Sequence, residues 1–131
     1  MSWYRRRYTP GGTFFFTVVT QARRPLFECP LNRQLLRTAL DTIFARRPVD
    51  VVAWVILPDH LHTIWTLPPN DADYSTRWRR IKEEFTDAFL GMGGTEVTVS
   101  SERRQRGERG VWQRRFWEHE CRDEDDLSAS S

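Results

Sequence analysis

The stretch Val51-Val52-Ala53-Trp54-Val55-Ile56-Leu57-Pro58-Asp59-His60-Leu61-His62-Thr63-Ile64-Trp65-Thr66-Leu67 decides the fold. Both arms are rich in β-branched and aromatic residues, which suit a pleated, half-buried surface. Pro58 and Asp59 between them are turn residues: proline fixes φ, and the aspartate side chain can bond its own backbone. The expected unit is an antiparallel hairpin of Val51 to Leu57 and His60 to Leu67, closed by a short turn. Pro68 and Pro69 end the second arm, because neither can donate to a ladder.

Working outward, Gly11 and Gly12 precede Thr13 to Thr20, another β-branched and aromatic run that reads as a buried strand. Asn32 opens a segment with Leu36, Ala39, Leu40, Ile43 and Phe44 at helical spacing, which stops before Pro48. Beyond the hairpin, Ser75 is the expected cap of a second helix. Its apolar stripe is Trp78, Ile81, Phe85, Ala88 and Phe89, and Gly91 closes it. Gly91 to Gly110 is polar, glycine-rich and aperiodic, so a loop is expected. Val111 to Trp117 reads as a fourth strand, and Asp123 as the cap of a third helix that scarcely begins before Ser131. The order β-α-β-β-α-β predicts an α+β domain of the ferredoxin-like kind, an antiparallel sheet with its helices on one face.

At 131 residues the chain is sized for a single domain with a core of its own. Its 39% hydrophobic and 29% charged residues exclude disordered and collagen-like classes. No apolar run is long enough for a membrane span, and the N-terminus lacks the core of a signal peptide. A cytoplasmic, nucleoid-associated protein is expected. Cys29 and Cys121 stand singly, as reduced thiols do. The net charge of +2 conceals a division: residues 1–117 hold 19 basic and 12 acidic side chains, residues 118–131 one basic and six acidic. A basic body suggests a polyanionic partner. All the basic residues but Lys82 are arginine, whose planar fork suits phosphate, although a GC-rich genome produces the same bias.

His60 and His62 carry the chemistry. Residues two apart on a strand point the same way about 7 Å apart, so the two imidazoles can converge on one ion while Leu61 faces the opposite side. Two nitrogens leave coordination positions open for further ligands, as an ion that also holds substrate oxygen requires. Taken by spacing alone, two exposed histidines on a sheet face with no metal is the more ordinary reading of the pair. Asp59 suits either the turn or a hydrogen bond to a ligating histidine.

The string Leu57-Pro58-Asp59-His60-Leu61-His62-Thr63-Ile64-Trp65 resembles the HUH motif of the REP-associated tyrosine transposases, single-tyrosine enzymes related to the smallest insertion-sequence transposases. Further pieces follow in that family's order: Tyr4-Arg5-Arg6, Gly12-Thr13-Phe14-Phe15-Phe16-Thr17, the stretch from Asp73 to Lys82, and Gly110-Val111-Trp112-Gln113-Arg114-Arg115-Phe116-Trp117-Glu118-His119. The resemblance implies that His60 and His62 bind Mg²⁺ or Mn²⁺, that the partner is single-stranded or hairpin DNA of the repetitive extragenic palindromic kind, and that cleavage passes through a 5′-phosphotyrosine. A phenol is a weak nucleophile near neutral pH, so it needs an electrophile activated and held in line. The family's tyrosine belongs to a C-terminal helix beyond Ser131. Tyr4, Tyr8 and Tyr74 do not match it, so the 131 residues by themselves are expected to bind DNA and metal without cleaving. The resemblance also admits a homodimer whose copies exchange that helix.

The candidate phosphate contacts are Arg5, Arg6, Arg7, Arg77, Arg79, Arg80, Lys82, Arg114 and Arg115, with Trp3, Tyr4 and Trp112 as stacking candidates. Trp78, by its helical spacing, belongs to the core. Two other functions compete. A non-catalytic nucleic-acid-binding module of the same architecture would carry the aromatic strand motif of an RRM, which the sequence lacks. A zinc hydrolase would need a third ligand, for which His119 and scattered acids are the material.

Overall fold

The computed structural model describes residues 8–121. The basic arm with Trp3, Tyr4, Arg5, Arg6 and Arg7, and the helix expected at Asp123, lie outside the described residues. Strands β1 (Thr13–Val19), β2 (Asp50–Leu57), β3 (His60–Thr66) and β4 (Trp117–Cys121) form one sheet in the order β2-β3-β1-β4. Every neighbouring pair is antiparallel. Helices α1 (Pro30–Arg46) and α2 (Tyr74–Gly91) connect β1 to β2 and β3 to β4, which is the ferredoxin-like arrangement.

Alternation on the two central strands builds the core. Phe14, Phe16 and Val18 of β1 and Leu61 and Trp65 of β3 are buried together against Leu36, Ala39, Leu40 and Ile43 of α1 and Trp78, Ile81, Phe85 and Phe89 of α2. Trp65 stacks on Trp78 with ring centroids 4.5 Å apart. The opposite face of the sheet carries Thr17, His60 and His62, so one strand serves both purposes.

The structure corrects four local expectations. The α2 cap is Asp73, whose carboxylate accepts from Thr76 N–H at 2.9 Å, rather than Ser75. Helix α1 begins at Pro30, since proline at the first turn forfeits only a donor that has no helical partner, and Asn32 instead donates its side-chain amide to Leu26 O. The expected loop after Gly91 contains a short helix, α3 (Ser101–Gln105), capped by Ser100. The fourth strand lies later than expected: Val111, Trp112 and Phe116 are core residues of an irregular strap, and pairing with β1 begins at Trp117. The strap is tied to the end of β1 by Gln21 N–H to Val111 O at 2.8 Å and Gln113 N–H to Val19 O at 2.9 Å.

Candidate metal centre and nucleic-acid surface

The turn that carries the histidines is held on three sides. Phe27 N–H donates to Pro58 O at 2.9 Å, and Thr20 donates to Asp59 O through both its N–H at 3.0 Å and its hydroxyl at 3.1 Å. From this anchored turn His60 and His62 project side by side, half-buried, with Nε2 atoms 3.2 Å apart. Each ring is fixed from behind. Asp59 Oδ1 lies 2.6 Å from His60 Nδ1, and the Thr17 hydroxyl lies 2.9 Å from His62 Nδ1. Phe15 stacks on the His62 ring at 5.3 Å. Asp59 thus fills both roles weighed for it, turn residue and histidine partner, and its other oxygen accepts from Arg23 Nε at 2.9 Å.

The electrostatics suit a ligand pair. The hydrogen bond from His60, aided by the Arg23 and His60 charges, holds the Asp59 carboxyl below its ordinary range. An ionised carboxylate can only accept, so His60 Nδ1 carries the proton of that bond, and Nε2 offers a lone pair whenever no second proton occupies it. Burial, then the neighbouring His60, lowers the pKa of His62, which favours the neutral form of that ring. Two such lone pairs at 3.2 Å repel unless a proton or a cation shares them, and the donor set of two imidazoles fits a first-row divalent ion. His119 shares this face, paired in register with Phe15. Among the described residues no group of three or more His, Cys, Asp and Glu side chains gathers.

The basic candidates separate sharply. Arg77 is buried, and all five of its N–H donors are engaged: Nε to Arg47 O, one terminal nitrogen to Asp71 Oδ1 and Asp73 O, the other to Pro48 O and Asp71 Oδ2. Its expected role at phosphate is therefore corrected: it staples the ends of α1 and α2 to the loop after β3. Trp112 is 4% exposed, packed against Phe27 and Phe85, and so cannot act as a stacking platform. Arg79, Arg80, Arg114 and Arg115 are exposed, while Lys82 donates to Gln113 O at 3.1 Å. Sequence reasoning missed Thr17 and Arg23, which hold His62 and Asp59. The β1 register with β3 is what identifies Thr17, whereas nothing local marks Arg23. Among the described residues no helix is long and apolar enough to cross a membrane.

A four-stranded antiparallel sheet with its two long helices on one face and two convergent imidazoles on the other is an arrangement that the chain shares with DNA-processing domains of the transposase class. Relatives narrow the class. The chain is 43% identical over 126 residues to the REP-associated tyrosine transposase of Escherichia coli, covering 96% of this chain and 66% of that protein. It is 40% identical over 129 residues to a Haemophilus influenzae protein provisionally assigned to the same family, covering 98% of this chain and 70% of that one. Among solved structures, a REP-associated tyrosine transposase bound to a REP hairpin superimposes with a TM-score of 0.77 at 42% identity, over 98% of this chain and 67% of that one. A Deinococcus radiodurans protein provisionally described as a transposase shares the fold, with a TM-score of 0.63 at 14% identity over 98% of this chain and 92% of its own. No family model matches the chain. The chain belongs to the REP-associated tyrosine transposases, and it spans about two thirds of the length of the relatives it matches.

Proposed function

We propose that this chain forms the metal-binding and DNA-binding body of a transposase of the HUH single-tyrosine class that acts on hairpin-forming single-stranded DNA. The observation that carries the reading is the His60–His62 pair, with Nε2 atoms 3.2 Å apart and each Nδ1 occupied by a partner. His60 and His62 would hold Mg²⁺ or Mn²⁺, which when bound polarises a scissile phosphate. Asp59 and Thr17 keep the imidazole rings turned outward, and the half-buried face limits the water around them. Exposed Arg79, Arg80, Arg114 and Arg115 would grip phosphates of the bound DNA away from the histidine face. The hairpin-bound relative supports this choice of partner.

The attacking tyrosine in this reading comes from outside the 131 residues, on the same polypeptide or on a second copy. Tyr74 is buried among Phe14 and Phe16 on the helix side of the sheet, and Tyr8 stacks on Tyr74 at 5.1 Å, so both stand behind the histidines.

The test is a Mn²⁺ titration by calorimetry beside a gel-shift series. Wild type is expected to bind the ion, His60→Ala and His62→Ala to lose it while remaining folded, and hairpin strands to outcompete scrambled strands of equal length. Stoichiometric, tightly held zinc, or equal affinity for hairpin and scrambled DNA, would overturn the proposal.

A further inference from the structure

The chain leaves β1 through a turn that its sequence does not favour. Ala22 and Arg23, within the turn Gln21–Arg23, stand at φ 57° and 51°. Left-handed backbone presses Cβ against the following carbonyl oxygen, so only glycine, and at times asparagine or aspartate, adopts it routinely. Two other residues in succession hold such angles only where the surrounding contacts over-determine them, and strain of this kind gathers at functional sites.

The contacts that hold this turn converge on Asp59. Thr20 is fully buried; its carbonyl accepts from Arg23 N–H at 3.1 Å, and its hydroxyl lies 2.8 Å from Arg24 O and 3.1 Å from Asp59 O. Arg24 pins the exit, donating from its guanidinium to Thr95 O at 2.6 Å. Arg23 then extends Nε to Asp59 Oδ2 at 2.9 Å, while Oδ1 of the same carboxylate meets His60 Nδ1. The segment from Thr20 to Arg23 thus grips Asp59 twice, by its main chain and by its carboxylate.

Stability does not account for the second grip. The Arg23 side chain is 60% exposed, and ion pairs so placed contribute little to folding. Its geometric effect is larger. A carboxylate bonded through one oxygen can still rotate, whereas a bond to the other oxygen fixes its plane and with it the direction from which His60 is held. We propose that Arg23 is a positioning residue of the metal centre: through Asp59 it keeps the His60 ring turned so that Nε2 faces the ion, and the left-handed turn is the device that delivers it. This rests on the metal-binding reading above. Charge alone predicts the reverse effect, because a cation placed beside a cation site weakens it. Lower metal affinity on removing Arg23 is therefore the mark of positioning.

The experiment is Mn²⁺ calorimetry on the full-length protein in four forms: wild type, Arg23→Ala, Asp59→Ala and the double variant. Arg23→Ala is expected to bind Mn²⁺ about tenfold more weakly, the lower end of what the outer partners of a ligating histidine contribute, and to melt within about two degrees of wild type. In the Asp59→Ala background the same substitution should change affinity by less than about twofold, because the residue through which it acts is gone. In ¹H–¹⁵N spectra of the metal-free protein, at a pH where both rings are neutral, His60 should show one form protonated at Nδ1 in wild type and a mixture of tautomers in Arg23→Ala. Unchanged or tighter Mn²⁺ binding by Arg23→Ala, or an equal loss in both backgrounds, overturns the positioning role alone. A wild type that binds no Mn²⁺ overturns the metal-binding reading, and this inference with it.

Discussion

Asp59 Oδ1 accepts the Nδ1 proton of His60 across 2.6 Å, and this one bond fixes which nitrogen of the ring faces the open side of the sheet. Residues that orient a ligating histidine typically contribute 10–100-fold to metal affinity. Asp59→Ala is accordingly expected to weaken Mn²⁺ binding by roughly that factor, with Asp59→Asn intermediate because its amide oxygen still accepts. Calorimetric titration measures it; affinities within twofold of wild type would mean that the ring holds its orientation by other means.

Arg77 and Arg79 are two residues apart on one helix yet should behave oppositely. Arg77 is buried while its partner Asp71 keeps about a third of its surface in water, so Arg77→Ala, which also strands the Arg47 and Pro48 carbonyls, should cost about 1–3 kcal/mol and melt well below wild type. Arg79→Ala should leave the melting temperature within a degree or two and lower the slope of log affinity against log salt by about 0.7, the value for one phosphate contact on a single strand. Salt-dependent binding assays and thermal melts on both variants separate the roles.

Acid should act through Asp71. The hydrogen bond from Arg77, with the Asp73 amide and nearby arginine charges, holds its carboxyl below the ordinary value of 3.8. A carboxyl whose folded pKa is depressed contributes stability that is fully present above the ordinary value and is lost as pH falls through the folded one. Wild type should therefore lose stability steeply below about pH 4, while Asp71→Asn should be weaker at neutral pH and lose less on acidification. Urea unfolding from pH 7 to pH 3 measures this, and parallel curves for the two proteins would refute it.

Gly110 is the tightest spot in the strap. A Cβ built there would fall 1.6 Å from Val97 O, and Gly110 O accepts from Val97 N–H at 2.8 Å. Gly110→Ala must push the two segments apart, with an expected cost of at least ~2 kcal/mol and faster amide exchange at Val97. An unchanged melting temperature would mean that the strap moves aside at little cost.

The hairpin was the most legible part of the chain, because alternation and turn chemistry agree over the whole stretch from Val51 to Thr66. Strand β4 was misread for a physical reason: Val111, Trp112 and Phe116 are apolar because an irregular strap packs them into the core, whereas Trp117 to Cys121 pairs through its backbone at the sheet edge and so needs no apolar run. Arg77 could have been recognised, since it sits with Tyr74, Trp78, Ile81 and Phe85 on the apolar face of α2, where a charge must have partners. The cap at Asp73 in place of Ser75 turns on backbone angles that two neighbouring polar residues do not distinguish. The histidine pair was visible as a spacing, but its supports were not: Thr17 comes from another strand and Arg23 from a tight turn.

Strand β3 threads two jobs through a single zigzag of chain, with Leu61 and Trp65 on one side and His60 and His62 on the other. A slip of one position would drown the indole and entomb both imidazoles together. Inherited changes that misalign this ribbon are thus removed for failing to fold, before they can yield a well-formed protein with a scrambled centre.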